Sequence, residues 1–241
     1  MKALRIIVLV IAIVAALFLL LAGPGTRMEW WDFSFGFTLM RWALYGGVAA
    51  GVLGIVFLLV PATRRGGAGV LAAAAVIGLA TAAVPYLQVQ KARSVPPIHD
   101  ITTDTANPPE FVAIAPLRED APNPVEYPGE ETAEQQREAY PQIETLQLDA
   151  WPAIAFEHAL AVARAQGWEI VASSESEGRI EATATTFWFG FKDDVVIRIR
   201  GDNKGSAVDV RSKSRVGRSD VGANAERIES YLEALQARAQ S

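Results

Sequence analysis

The chain has 241 residues and no cysteine. Disulfide staples, thiol nucleophiles and cysteine-ligated metals are thereby excluded, while the redox compartment stays undecided because a cysteine-free chain suits any. Histidine is confined to His99 and His158, and no nucleophile–base constellation accompanies either. Three long apolar runs contain no Asp, Glu, Lys, Arg or His. Pumps and transporters place ionisable groups at membrane depth, so neither activity is expected. Basic excess is also missing from the second half: from Lys91 onward 16 basic residues face 25 acidic ones, a net of −9. Phosphate backbones are bound by concentrated basic faces, so nucleic acid is not expected as a partner.

What is present divides the chain in two. Residues 1–90 read as a membrane region with spans at about 6–22, 42–60 and 67–86, each close to the roughly 20 residues that cross a bilayer as a helix. The first run ends in LLLAGPG, without the small residues of a cleavage site, and reads as an uncleaved anchor. Lys2, Arg5, Arg64 and Arg65 flank the spans on one side. The positive-inside bias therefore predicts a cytoplasmic N-terminus in a bacterial-type inner membrane, with the C-terminal domain periplasmic or otherwise extracytoplasmic. Trp30, Trp31, Trp42 and Tyr45 fit an interfacial aromatic belt. Gly47 and Gly51 form a G-x-x-x-G that predicts close packing among the three helices.

Residues 91–149 read as an extended, Pro-rich acidic strap. Two Pro-Pro pairs forbid a helix across 95–109. Thr132 and Gln135 match a capping box and predict a short helix from there through Ala139. His99, Asp100 and Asp104 are the candidate acid–base groups. Neighbours in extended chain point apart, which favours His99 and Asp100 as hydrogen-bonding anchors of the strap.

Residues 150–241 predict a helix after Pro152, strands near 168–172, 180–186, 195–199 and 207–216, and a last helix carrying Ile228, Tyr231, Leu232 and Leu235 at i, i+3, i+4 and i+7. A hairpin turn is expected at 202–205. Short links demand antiparallel pairing. The expected fold is thus α+β: three transmembrane helices, then a two-layer domain with a four-stranded antiparallel sheet and two helices on one face. The other face would stand open and present Glu181, Thr183, Thr185, Arg198, Arg200, Asp209, Arg211, Lys213 and Arg215. Internal cover by the segment 100–149 ranks first as its fate, ahead of an anionic ligand and of a membrane-facing role. Phe187, Trp188, Phe189 and Phe191 form a candidate aromatic rim. Asp193 and Asp194 resemble paired catalytic carboxylates only superficially, since strand neighbours point apart.

The segments IHDITTDTANPPEF (98–111), QQREAYPQIETLQL (135–148), GWEIV (167–171), GRIEATATTFWFGFKDDVVIRI (178–199) and VDVRSKSRVGRSDVGANAERI (208–228) resemble, in order, the uncharacterised DUF1499 family over 98–235. That resemblance implies a membrane-associated or extracytoplasmic domain. It brings no reaction, cofactor or catalytic residue, but it singles out His99, Asp100, Asp104, Arg211, Arg215 and Asp220 as lying in the family's signatures. The expectation is a membrane-anchored extracytoplasmic binding or scaffolding protein without a cofactor or metal. Its partners would be membrane lipid and an anionic ligand or envelope protein, met at His99, Asp100, Asp104, Arg198, Arg200, Arg211, Lys213, Arg215 and Asp220. Two alternatives stand beside it: an envelope enzyme using His99 with Asp100 or Asp104 on lipid or polymer, and a structural cap within a larger membrane assembly.

Overall fold

The computed structural model describes residues 1–203 and 205–240. Lys204 of the expected hairpin turn and the terminal Ser241 lie outside the described residues. Two compact units emerge, one formed by Met1–Arg93 with Phe187–Gly190 and the other by Ser94–Thr186 with Phe191–Ser241.

In the first unit α1 (Lys2–Arg27), α2 (Phe33–Leu59) and α4 (Ala68–Ser94) are each long and apolar enough to cross a membrane, and a single turn, α3 (Pro61–Arg64), joins the last two. The connection expected at 23–41 shrinks to 28–32. Polar residues at Ser34, Thr38 and Arg41 hide the true start of α2, which Asp32 fixes by accepting the Ser34 and Phe35 N–H groups at 2.8 and 3.1 Å. Glycine governs the packing. A Cβ on Gly47 would lie 2.6 Å from the Gly78 carbonyl oxygen, and one on Gly78 would lie 2.6 Å from that of Gly47. The G-x-x-x-G face is thus filled by α4 of the same chain. At the start of α1, Arg5 donates to the carbonyls of Thr63 and Arg65, both at 2.7 Å.

The second unit is α+β. In chain order it contains β1 (Asp100–Thr102), a 3₁₀ turn at Ala115–Arg118, α5 (Glu130–Ala139), β2 (Leu146–Leu148), α6 (Pro152–Ala165), β3 (Glu169–Ser174), β4 (Arg179–Thr185), β5 (Lys192–Asp202), β6 (Gly205–Ser214) and α7 (Ala223–Ala239). The sheet has six strands, not the expected four, in the order β1-β6-β5-β4-β3, with β2 also on β6. All pairings are antiparallel. The two additional strands come from the strap: Asp100 to Thr102 align with Lys213 to Arg211, and Leu146 to Leu148 with Val208 to Ser206. Three residues are too few to show a period of two, which is why they read as irregular chain. The helix expected from Thr132 begins at Glu130 behind Gly129, with no side-chain cap.

Alternate residues of the sheet build the apolar core. Ile180, Ala182, Val195, Ile197, Ile199, Val208 and Val210 share one cluster with Phe156, Ala159 and Val162 of α6 and Ile228, Tyr231 and Leu235 of α7. Trp168 stacks on Tyr231 at 5.1 Å between centroids, and the Tyr231 hydroxyl donates to the Ala159 carbonyl at 3.0 Å. Replacing the fully buried Ile197 by Ala should cost this unit about 2–5 kcal/mol, read as a lower denaturant midpoint with an unchanged slope.

Candidate functional site

The period of two that sends Val195 and Ile197 into the core sends Asp194, Val196 and Arg198 to the opposite face. There they join Glu181 and Thr183 from β4, Asp209, Arg211 and Lys213 from β6, and Arg215 just beyond it. Glu181, Thr183, Arg198, Asp209, Arg211, Lys213 and Arg215 are among the residues expected on an open surface, but the face is closed. Glu181, Asp194, Asp209 and Lys213 are fully buried, and Arg211 is 3% exposed. The cover is the strap.

Three carboxylates organise the layer. Asp100, on β1, accepts Arg211 Nε and Nη2 at 2.9 and 2.8 Å and Lys213 Nζ at 2.9 Å. The same cations reach strap carbonyls: Arg211 those of Pro109 and Val125, Lys213 that of Glu126. The Arg211 guanidinium also lies 4.9 Å from the Phe111 ring centroid and 5.4 Å from that of Tyr127. Asp194 accepts Arg118 Nη1 at 2.6 Å, Arg215 Nε and Nη2 at 2.9 and 2.8 Å, and the Thr183 hydroxyl at 2.8 Å. Asp209 takes Arg198 and Arg200 at 2.8 and 2.7 Å and the Thr145 hydroxyl at 2.6 Å. Glu181 is held differently, by the backbone N–H groups of Val112, Ala113 and Ile114 and by Arg179 Nε at 3.0 Å.

Burial pushes the Lys213 ammonium and the Arg118 guanidinium below their ordinary pKa values, with Asp100 and Asp194 respectively pulling them back up. The Tyr127 hydroxyl is pushed up to about 12 by burial and then by Asp100.

The candidate acid–base groups are not brought together. Asp100 is bound by two cations. Asp104 accepts Arg198 at 3.0 Å and the Asn107 N–H at 2.9 Å. His99 has its Nδ1 3.4 Å from the Arg218 carbonyl oxygen, and burial lowers its pKa. Asp220 accepts the N–H groups of Gly222 and Asn224, both at 2.8 Å, at the start of α7. Two residues ahead of the N-cap Gly222, it thus satisfies a first-turn N–H of α7, although burial raises its pKa despite those bonds. Asp193 and Asp194 diverge as their adjacency requires, Asp193 pairing with Arg227 at 2.6 Å. Sequence reasoning missed Arg118, one of two cations, with Arg137, in the acidic segment 100–149. Only that scarcity marked it.

The aromatic rim separates likewise. Phe187 is 91% exposed. Within the helical unit a Cβ on Gly23 would collide with the Trp188 ring, while Phe189 lies 5.2 Å from the Phe37 centroid. Phe191 instead returns to the strand, its N–H donating to Thr186 Oγ1 at 2.9 Å.

One cavity of about 250 Å³ opens within the strap, between its 103–106 stretch and the 136–145 stretch that ends α5 and follows it, lined by Thr103, Asp104, Thr105, Ala106, Gln136, Arg137, Tyr140, Pro141, Ile143, Glu144 and Thr145. Among the described residues, no three His, Asp or Glu side chains gather as metal ligands.

A family model described as "Protein of unknown function (DUF1499)" matches residues 100–235. The chain belongs to that family. No curated protein matches it.

Removing one partner of a buried ion pair strands the other, so Asp100→Asn should destabilise this unit by about 3–5 kcal/mol. Arg200, whose side chain is 46% exposed, should cost at most about 1 kcal/mol when changed to Ala. Denaturant unfolding of both variants checks the contrast. His99 is held below its ordinary value in the folded state, so its contribution is present above pH 6.5 and fades as the pH falls through the folded value. Subtracting the His99→Asn stability profile from that of the wild type should reveal this acid-side loss.

Proposed function

We propose that this DUF1499 protein is a membrane-anchored, extracytoplasmic binding or scaffolding module. The closure of the ionic layer carries this reading. Asp100, Asp194 and Asp209 each hold two cations of the same chain; the pairs on Asp100 and the Arg118–Asp194 pair lock the strap to the sheet, and those on Asp209 tie β5 to β6. A carboxylate saturated in this way is poorly placed to act as a general base, because its lone pairs are occupied. Recognition then falls to the outer surface of the strap and its neighbouring helices.

The location follows from charge and helix number. Lys2, Arg5, Arg64 and Arg65 gather at one end of the helical unit, where Arg5 binds the α3 carbonyls, and no Asp or Glu lies between Leu59 and Ser94. The cytoplasmic leaflet favours that end. Three crossings carry the remainder of the chain to the far side.

The absence of native cysteine allows a direct test. A single Gln240→Cys variant should react with a membrane-impermeant maleimide in intact cells, whereas Arg65→Cys should react only after lysis; the reverse pattern refutes the topology. Photo-cross-linkers at the exposed Glu119 and Glu138 should recover an envelope component in cells. Recovery of nothing from either position would remove the binding reading.

A further inference from the structure

We propose that the strap cavity beside α5 binds a single pyranose ring bearing free hydroxyl or amino groups. This deepens the binding-module reading and rests on it. The argument starts from where the protons point. Thr145 Oγ1 donates to Asp209 Oδ1 at 2.6 Å, and Thr103 Oγ1 donates to the same oxygen at 3.3 Å while accepting the Val210 N–H at 2.9 Å. Neither hydroxyl has a proton left for a ligand. Arg137 is turned to Thr105 Oγ1 at 3.1 Å and to Glu130. Gln136 closes both its amide ends on the Thr102 backbone, at 3.0 and 2.6 Å. Asp104 and Glu144 are the acidic residues of the lining, the Asp104 carboxylate already accepting Arg198 and the Asn107 N–H. Arg137 nevertheless keeps further N–H groups, and Thr105 Oγ1, which accepts from it, keeps its own proton, so the wall offers acceptors and donors together and suits a ligand whose groups both donate and accept, as ring hydroxyls do.

The rest of the wall is apolar. Ile143, Pro141, Ala106 and the half-buried Tyr140 ring lie among those acceptors. A sugar ring matches this division, with C–H groups on one face and hydroxyls around its edge. At about 250 Å³ the space falls below the roughly 300–1,000 Å³ of sites for drug-sized ligands, which limits it to one ring. A lone ammonium suits the wall less well. Arg198 neutralises Asp104 from behind at 3.0 Å, and Arg137 stands in the lining, so the acceptors are dispersed instead of focused on one cation.

The test uses the full chain in nanodiscs, free of sugar-based detergent, and titrates it with glucose, glucosamine and methyl β-glucoside by saturation-transfer NMR. Binding with a dissociation constant of about 1 mM or tighter is expected, weakened at least about tenfold by Glu144→Ala and by Tyr140→Leu. Glu144 is exposed, so its variant remains folded and informative even where Tyr140→Leu does not. A methyl glycoside that binds as well as free sugar assigns the site to a residue within a polymer; one that fails assigns it to free sugar. Three results would each overturn the proposal: no saturation transfer with any sugar, sugar binding that survives Glu144→Ala, or binding of lysine methyl ester alone. Failure here leaves the cellular cross-linking result untouched, so the two readings fall separately.

Discussion

Asp100 is the residue on which the second unit turns. Its backbone lies opposite Lys213 in the β1–β6 ladder, and its carboxylate sits between Arg211 and Lys213. Taking two cations out of water costs several kcal/mol each, and one carboxylate does not offset that alone. The remainder comes from the strap's backbone. Carbonyls of Pro109, Val125 and Glu126 accept the protons that Asp100 leaves over, and the rings of Phe111 and Tyr127 flank the guanidinium. Strap and sheet are consequently interdependent: the strap has too little regular structure to fold alone, and the sheet face carries too much charge to be buried without it.

A second device at the same interface makes it a layer and not a single joint. Phe111 and Ile114 pack on Val196, an apolar strand position among charged ones. The N–H groups of Val112, Ala113 and Ile114, the residues beside and within that apolar contact, converge on Glu181. One short stretch of strap thus satisfies a buried carboxylate through its backbone while burying apolar surface through its side chains. The pairing of β1 and β2 end to end along β6, with Thr103 bridging to Val210 between them, completes the closure of that sheet edge.

Much of this was legible beforehand. The alternation of Val195, Ile197 and Ile199 with Val196, Arg198 and Arg200 separated the core face of β5 from the ionic one. Pro152 marked the start of α6 and Gly167, at φ +75°, its end. What the pattern does not contain is the partner of each charge. Asp100 and Arg211 are separated by 111 residues, and a three-residue strand carries no periodic signal to tie them. The same limit hid Arg118, which reaches Asp194 across 76 residues. In the aromatic turn, alternation fails for another reason. Residues 187–189 form a turn, so Phe187 and Trp188 diverge by local geometry and not by strand pleat.

Sealing the ionic layer changes what the outside of the domain offers. Sequence composition gives −9 from Lys91 onward, but charge counted along a chain is not charge displayed. Arg118, Arg211, Lys213, Arg215 and Arg227 all point into buried carboxylates, and those pairs contribute little field at a distance. α5 gathers Glu130, Glu131, Glu134 and Glu138 on the outside, with Arg137 alone among them, and Glu110, Glu119, Asp120 and Glu144 are exposed as well. An anionic headgroup or phosphate approaching this surface meets repulsion, screened only over about 8–10 Å at ordinary ionic strength. The basic residues that first suggest an anion-binding face are therefore the ones that withdraw it.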